Sequence, residues 1–150
     1  MINIIAVGKI KEKYITDGIN EYLKRLSKYT KINIIEIDDE DYNEIDKTLN
    51  RESEKIKKYI NEKNTIITLE IDGKEYSSTE LSNLIDKCMI NGDITFIIGG
   101  SYGLSDNIKI ISNYKLSFSK LTFPHQLFRL ILLEQIYRGF KILKNESYHK

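Results

Sequence analysis

Short runs of branched aliphatic residues alternate with helix-period segments along this whole chain, and that alternation restricts the fold more than any other feature. Ile2–Val7 is the first run, continuous enough for a strand buried on both faces, and Gly8 breaks it. Lys13 to Lys28 follows at helical spacing, with Ile15, Ile19, Tyr22, Leu23 and Leu26 on one stripe. Ile32–Ile37 reads as a second strand. Asp46 to about Ile60 reads as a polar helix that buries Leu49, Ile56, Tyr59 and Ile60. Thr65–Ile71 is the third strand, and Asp72-Gly73 is expected to turn the chain after it. Ser77 and Glu80 have the spacing of a capping box that opens a helix to about Met89. Asn91-Gly92-Asp93 signals a turn before a fourth strand, Ile94–Ile98. A short helix from Ser105 to about Ser112 and a short fifth strand, Lys115–Phe118, come next. Pro124, the only proline, suits the first turn of a last helix that runs to about Lys144. This order predicts an α/β fold, a mainly parallel sheet with helices on both faces. No linker or internal repeat interrupts it, so residues 1–150 are expected to form a single domain.

The last helix is apolar around most of its circumference. Leu127, Phe128, Leu130, Ile131, Leu132, Leu133, Ile136, Tyr137, Phe140 and Leu143 cover nearly every direction. Such a helix is buried on more than one side. It is either enclosed within the monomer or packed between the sheet and a second subunit. The second arrangement is preferred here, with Leu132 and Ile136 expected on the outward side of a homodimer. Glu134 and Arg138 stand four apart in the favourable order for a helical ion pair.

Charge is segregated although the net charge is only +1. Residues 1–31 hold seven Lys/Arg and three acids, and residues 115–150 hold seven and two. The stretch between them, with nine basic and seventeen acidic residues, carries −8. If the two ends meet in space they form a basic surface of the kind phosphate backbones attract; ordinary solvated lysines are the alternative. Glu36, Asp38, Asp39, Glu40, Asp41, Glu44 and Asp46 follow one another without a basic residue. They read as a surface loop leading into a helix N-terminus rather than a cation site, because the glycine of a calcium loop is missing. The single cysteine, Cys88, precludes an intramolecular disulfide and sits in an apolar helical stretch, where a core thiol is expected. No signal peptide or spanning segment is visible, so a cytoplasmic location is expected.

Two segments carry the chemistry. Phe96-Ile97-Ile98-Gly99-Gly100-Ser101-Tyr102-Gly103 is a strand running into a glycine turn, and Leu116 to His125 is a strand end, a small polar loop and a helix start. Backbone-rich turns at the carboxyl ends of strands build pockets for small flat ligands. The dinucleotide fingerprint is broken: Ser101 stands where its second glycine belongs, and residues 117–123 hold no acid. A Walker P-loop is also missing. His125 and His149 are the only histidines, too few for a zinc site without cysteines. A pocket without an evident nucleophile fits methyl transfer from a sulfonium donor, in which the protein chiefly positions two reactants. An imide N–H acceptor, such as N3 of a uracil-type base, asks for a modest base or an electrostatic helper. His125, His149, Arg129 and Arg138 are the candidates.

The chain also resembles a known family in Ala6-Val7-Gly8-Lys9, Thr68-Leu69-Glu70, Ile98-Gly99-Gly100 and Gly103-Leu104. Leu116-Ser117-Phe118-Ser119, Leu121-Thr122-Phe123-Pro124-His125 and the terminal Tyr148-His149 continue the pattern. These pieces are similar, in order and spacing, to the SPOUT-superfamily methyltransferases that modify N3 of a pseudouridine in bacterial 23S ribosomal RNA, the large-subunit methyltransferase H family. The resemblance implies S-adenosylmethionine as methyl donor, a C-terminal trefoil knot, a homodimer through the last helix, and 23S rRNA in the ribosome as partner. It places Leu69, Gly100, Ser119, Lys120, Leu121, Thr122, Phe123 and Pro124 around the cofactor and makes the terminal Tyr148-His149 part of the site; Tyr148 and His149 are expected to be catalytic, with Arg138, from the candidates above, stabilising charge on the base. Tyr102 is bulkier than this pattern leads one to expect. A non-catalytic ribosome-associated RNA-binding module is the alternative, and a nicotinamide oxidoreductase is disfavoured by the broken fingerprint.

Overall fold

The computed structural model describes residues Met1 to Lys150. Five strands, β1 (Ile2–Val7), β2 (Ile32–Ile37), β3 (Thr65–Glu75), β4 (Ile94–Ile98) and β5 (Tyr114–Ser117), alternate with five helices. The helices are α1 (Lys13–Leu26), α2 (Ile45–Lys57), α3 (Ser78–Ile90), α4 (Asp106–Ile111) and α5 (His125–Leu143). Every strand pairing is parallel, in the order β2-β1-β4-β3-β5.

The sheet is covered on both faces because its central strands are apolar in both directions. Ile2, Ile4 and Ala6 of β1, with Ile94, Phe96 and Ile98 of β4, face a core closed by α1, α3 and α5. The alternate residues Ile5, Val7, Ile66 and Ile97 meet Ile56 of α2 and Ile108 of α4. This two-sided period is the expected signature of a buried parallel strand.

Helix α5 lies between α1 and α3 on the first face. Leu132 and Ile136 are fully buried in that core, which corrects the expectation that they face outward. Three elements surround this helix, so much of its apolar circumference is consumed inside the monomer.

The capping box at Ser77 forms as expected: the Ser77 hydroxyl accepts from the Glu80 N–H, and the Glu80 carboxylate accepts from the Ser77 N–H. Cys88 is buried in the core.

The turn expected at Asp72-Gly73 does not end β3. The strand continues to Glu75, and its register on β5 jumps between Leu69 and Lys74, so that residues 70–73 bulge outward. Gly73 permits this: a Cβ there would lie 2.7 Å from the Lys115 carbonyl oxygen, a separation only glycine avoids.

The acidic stretch is more engaged than a solvated loop. Glu36 meets the Arg129 guanidinium at 2.6 Å, Asp38 meets Lys9 at 3.4 Å, and Glu40 pairs with Lys55. No group of three or more His, Cys, Asp or Glu side chains is arranged to hold a metal ion. No helix is long and apolar enough to cross a membrane.

Candidate active site

A cavity of about 530 Å³ opens beyond the carboxyl ends of β3, β4 and β5. Three backbone features shape it. The β3 bulge supplies one wall with Leu69, Glu70 and Asp72. The turn after β4 supplies the second. Gly99 there packs so closely on the backbone of Gly103 that a side chain could not be accommodated, and Gly103 adopts a positive φ of 77° with open space around it. The third wall is the loop between β5 and α5. Its start is held by the Ser117 hydroxyl, which donates to the Ser119 carbonyl at 3.2 Å, and by the Ser119 hydroxyl, which accepts from the Leu121 N–H at 2.9 Å. Phe118, Phe123 and Phe128 pack on one another behind this loop, with centroids 4.9 and 6.0 Å apart.

Of the eight residues placed around a cofactor by resemblance, Leu69, Gly100, Ser119, Leu121, Thr122, Phe123 and Pro124 line this one cavity, whereas Lys120 does not. His125 also lines it, and its Nε2 lies 3.1 Å from where a Cβ on Gly8 would stand. Arg129, one of the sequence candidates, goes elsewhere. It is 1% exposed, donates to the Gly8 carbonyl at 3.0 Å and pairs with Glu36, so it fastens α5 to the ends of β1 and β2. Its Nε has no partner.

The C-terminal residues form a second constellation. The Arg138 guanidinium binds Glu134 at 2.6 Å and lies over the Tyr148 ring, 4.7 Å from its centroid. The Tyr148 hydroxyl donates to Glu134 at 3.1 Å and stands 3.4 Å from the Tyr22 hydroxyl. Desolvation, with those two partners, pushes the Tyr148 phenol well above its ordinary range. His149 Nδ1 lies 3.2 Å from Arg138 Nη1. Arginine only donates, so Nδ1 accepts and Nε2 carries the ring proton in this arrangement. Arg138, Tyr148 and His149 are thus brought together, but not at the cavity. Glu134 is nine residues along α5 from His125, about 14 Å of helix.

Sequence reasoning missed Glu70 and Lys109 as cavity residues. Glu70 opens the β3 bulge, an irregularity at which only the glycine at position 73 hints, and Lys109 lies on α4, far from it in the chain.

The geometry defines a class first: a parallel α/β domain with a switch-point cavity walled by main chain and aromatic rings. Its volume suits a ligand of nucleoside size. A family model described as "Predicted SPOUT methyltransferase" matches residues 1–149, and the chain belongs to that family. It is 57% identical to the "Putative ribosomal RNA large subunit methyltransferase H" of Methanococcus maripaludis (strain C5), over 99% of both chains. It is 51% identical to the ribosomal RNA large subunit methyltransferase H of Clostridium botulinum (strain Loch Maree), again over 99% of both. A probable methylase family protein from Haemophilus influenzae shares the fold. The TM-score is 0.55 at 12% identity, covering 96% of this chain and 66% of that one.

The protein is therefore an S-adenosylmethionine-dependent methyltransferase of the SPOUT type. The cavity fits that donor: the glycines at 99, 100 and 103 of the turn allow close approach to main chain, and the aromatic wall offers a flat apolar surface.

Proposed function

We propose that the chain methylates large-subunit ribosomal RNA, at N3 of a pseudouridine in 23S rRNA, on assembled ribosomes in the cytoplasm, as a single domain. The reading is supported above all by identity across the whole length to relatives named for large-subunit rRNA methylation. The cavity carries the donor half of the reaction, with Leu69, Gly100 and the Ser119–Pro124 loop around the cofactor. Lys120 keeps a place in this assignment only by its position in that loop. The turns at Leu69, Gly99–Gly103 and Ser119–Pro124 are taken as parts of the trefoil knot that the family resemblance implies.

S-adenosylmethionine, when bound, supplies a methyl group already activated on sulfur. The protein's own work is to hold the acceptor in line and to manage the N3 proton. Arg138 is positioned to stabilise negative charge on the base, Tyr148 to stack beside it, and His149 to hold or accept the proton. In the present arrangement the His149 Nε2–H is a donor, suited to a base carbonyl. Accepting the N3 proton requires the ring to leave Arg138. The distance between this trio and the chain's own cavity supports a homodimer in which one protomer's tail serves its partner's cavity. Leu127 and Ile131, two of the half-buried apolar residues of α5, are the positions assigned to that interface.

The test combines calorimetric titration with S-adenosylmethionine and methyl transfer to ribosomes that lack the modification. The proposal expects saturable cofactor binding and one methyl group per ribosome, at the pseudouridine. Cofactor binding without transfer to ribosomes would reject the substrate assignment. Failure to bind the cofactor would favour the non-catalytic module instead. Removal of Tyr148–Lys150 should lower transfer about 10²-fold or more while cofactor affinity is kept.

A further inference from the structure

Glu70 is a carboxylate set into the cavity wall, and neither the mechanism above nor the cofactor residues implied by resemblance use it. It is the first residue of the β3 bulge, and its side chain is only 10% exposed. One oxygen, Oε2, is taken: it accepts the Thr68 hydroxyl at 2.6 Å. Thr68 is itself completely buried on the strand below, so this bond fixes the direction of the carboxylate. The other oxygen, Oε1, lies 3.9 Å from Lys109 Nζ of α4, close enough to balance the charge but beyond hydrogen-bond reach. Both Glu70 and Lys109 line the cavity. A carboxylate oxygen of a largely buried side chain therefore faces the ligand space, and no protein group donates a hydrogen bond to it. Such an acceptor is open to a donor brought by the ligand.

An adenosine-based sulfonium cofactor offers two donors of this kind, the ribose hydroxyls and the α-ammonium of its amino-acid arm. Lys109 decides between them. An ammonium would place a second cation against a carboxylate that already has one, whereas a hydroxyl adds no charge. Carboxylates at the ends of parallel strands read ribose hydroxyls elsewhere for the same reason of geometry. We propose that Glu70 is a specificity-determining residue of the cofactor site: Oε1 accepts a hydrogen bond from a ribose hydroxyl of the bound adenosine moiety, with Thr68 orienting the carboxylate and Lys109 standing 3.9 Å from it as its cation. The proposal rests on the reading of the cavity as the S-adenosylmethionine site.

The experiment is a calorimetric series on the full chain with S-adenosylhomocysteine, its 2′-deoxy and 3′-deoxy counterparts, and 5′-deoxy-5′-methylthioadenosine, which lacks the amino-acid arm. The unmodified protein should bind S-adenosylhomocysteine and lose about tenfold or more in affinity for one of the deoxy compounds. In Glu70→Ala, affinity for S-adenosylhomocysteine should fall by a similar factor and the penalty for the missing hydroxyl should vanish. Glu70→Gln, which keeps an acceptor oxygen, should lie between the two. The comparison of ligands on the unmodified protein stands even if a variant fails to fold. Equal affinity of the unmodified protein for all three ribose forms would overturn the proposal. So would discrimination that persists undiminished in Glu70→Ala, or a loss confined to the compound without the amino-acid arm, which would assign Glu70 to the ammonium. If S-adenosylhomocysteine and S-adenosylmethionine both fail to bind, the reading of the cavity itself falls, a result distinct from any of these.

Discussion

At the scale of single residues, the site depends on positions where a side chain is absent or a charge is buried. A Cβ on Gly100 would stand 3.1 Å from Val7 Cγ1 and 3.7 Å from Glu52 Oε1, so the turn rests directly on the end of β1 and on α2. Gly100→Val should push this turn into the cavity and weaken S-adenosylmethionine binding at least tenfold by calorimetry, with a smaller loss of thermal stability. Unchanged affinity would remove the turn from the site. Glu52, behind that turn, is 4% exposed, and its Oε2 accepts from the Glu40 N–H at 3.0 Å. Burial pushes its pKa above the ordinary value, helped by the nearby Asp39 and Glu40 carboxylates. The folded state therefore holds this proton to higher pH than the unfolded chain does. Its contribution to stability is fully present below the unfolded value and is lost as pH rises through the raised, folded one. Glu52→Gln keeps an acceptor for Glu40 and has no proton to lose. Its melting temperature relative to the parent protein should accordingly rise as pH goes from 4 to 8; a constant or falling difference would refute the assignment.

At the scale of elements, the C-terminal tail is clamped rather than loose. Asn145 takes the left-handed conformation with φ of 53°, the usual way to leave a helix when glycine is not present. Glu146 then accepts from Lys141 Nζ at 2.9 Å and from the Tyr29 hydroxyl at 2.9 Å. Those hydrogen bonds draw its pKa down from 4.5 to about 2. A depressed carboxylate stabilises the docked tail above its unfolded value, and that contribution is lost as pH falls through the folded one. The tail should stay docked through neutral pH, and this contribution should weaken only below about pH 4.5 and be lost as pH falls past about 2. Proton NMR shifts of the Tyr148 and His149 rings would follow this. Release near pH 6 would show that some other group controls docking. Helix α5 makes a contrasting prediction. Leu132 is fully buried against the sheet, so Leu132→Ala should cost about 2–5 kcal/mol in denaturant unfolding, and Leu132→Glu should fail to fold rather than dissociate. A soluble, fully folded Leu132→Glu protein would contradict this packing.

At the scale of the whole molecule, α1 and α5 pack side by side, which brings the basic N-terminal and C-terminal stretches next to each other. Several of their cations are already engaged: Lys13 with Asp17, Arg25 with Glu21 and Arg129 with Glu36. Under the proposed function, the apparent affinity for ribosomes should still fall with rising salt, but with the slope of a few phosphate contacts rather than that of every basic residue. A flat dependence between 50 and 200 mM salt, on the order of physiological strength, would argue against phosphate contacts. The proposed homodimer places its own demand on Leu127 and Ile131. A glutamate at either position should leave the fold intact by circular dichroism, produce monomers in light scattering, and lower transfer, since each tail would lose its partner's cavity. Monomers that transfer methyl groups at the parent rate would disprove a shared site.

Local geometry was readable before any contact was known. The alternation of elements, the capping box at Ser77 and the strand–glycine junction at Ile98-Gly99 follow from period, caps and backbone sterics, which act between near neighbours in the chain. The grouping of Leu69, Gly100 and the Ser119–Pro124 loop came from resemblance, because spacing along a sequence does not say which strand ends are adjacent. Only the tertiary structure decided the order β2-β1-β4-β3-β5, the enclosure of α5 by α1 and α3, the burial of Arg129 on Glu36, and the meeting of Glu70 with Lys109. Those outcomes depend on pairing between segments far apart in the chain and on one bulge at Gly73. The local pattern of apolar and polar residues is the same whichever partners a strand or a charge finally meets.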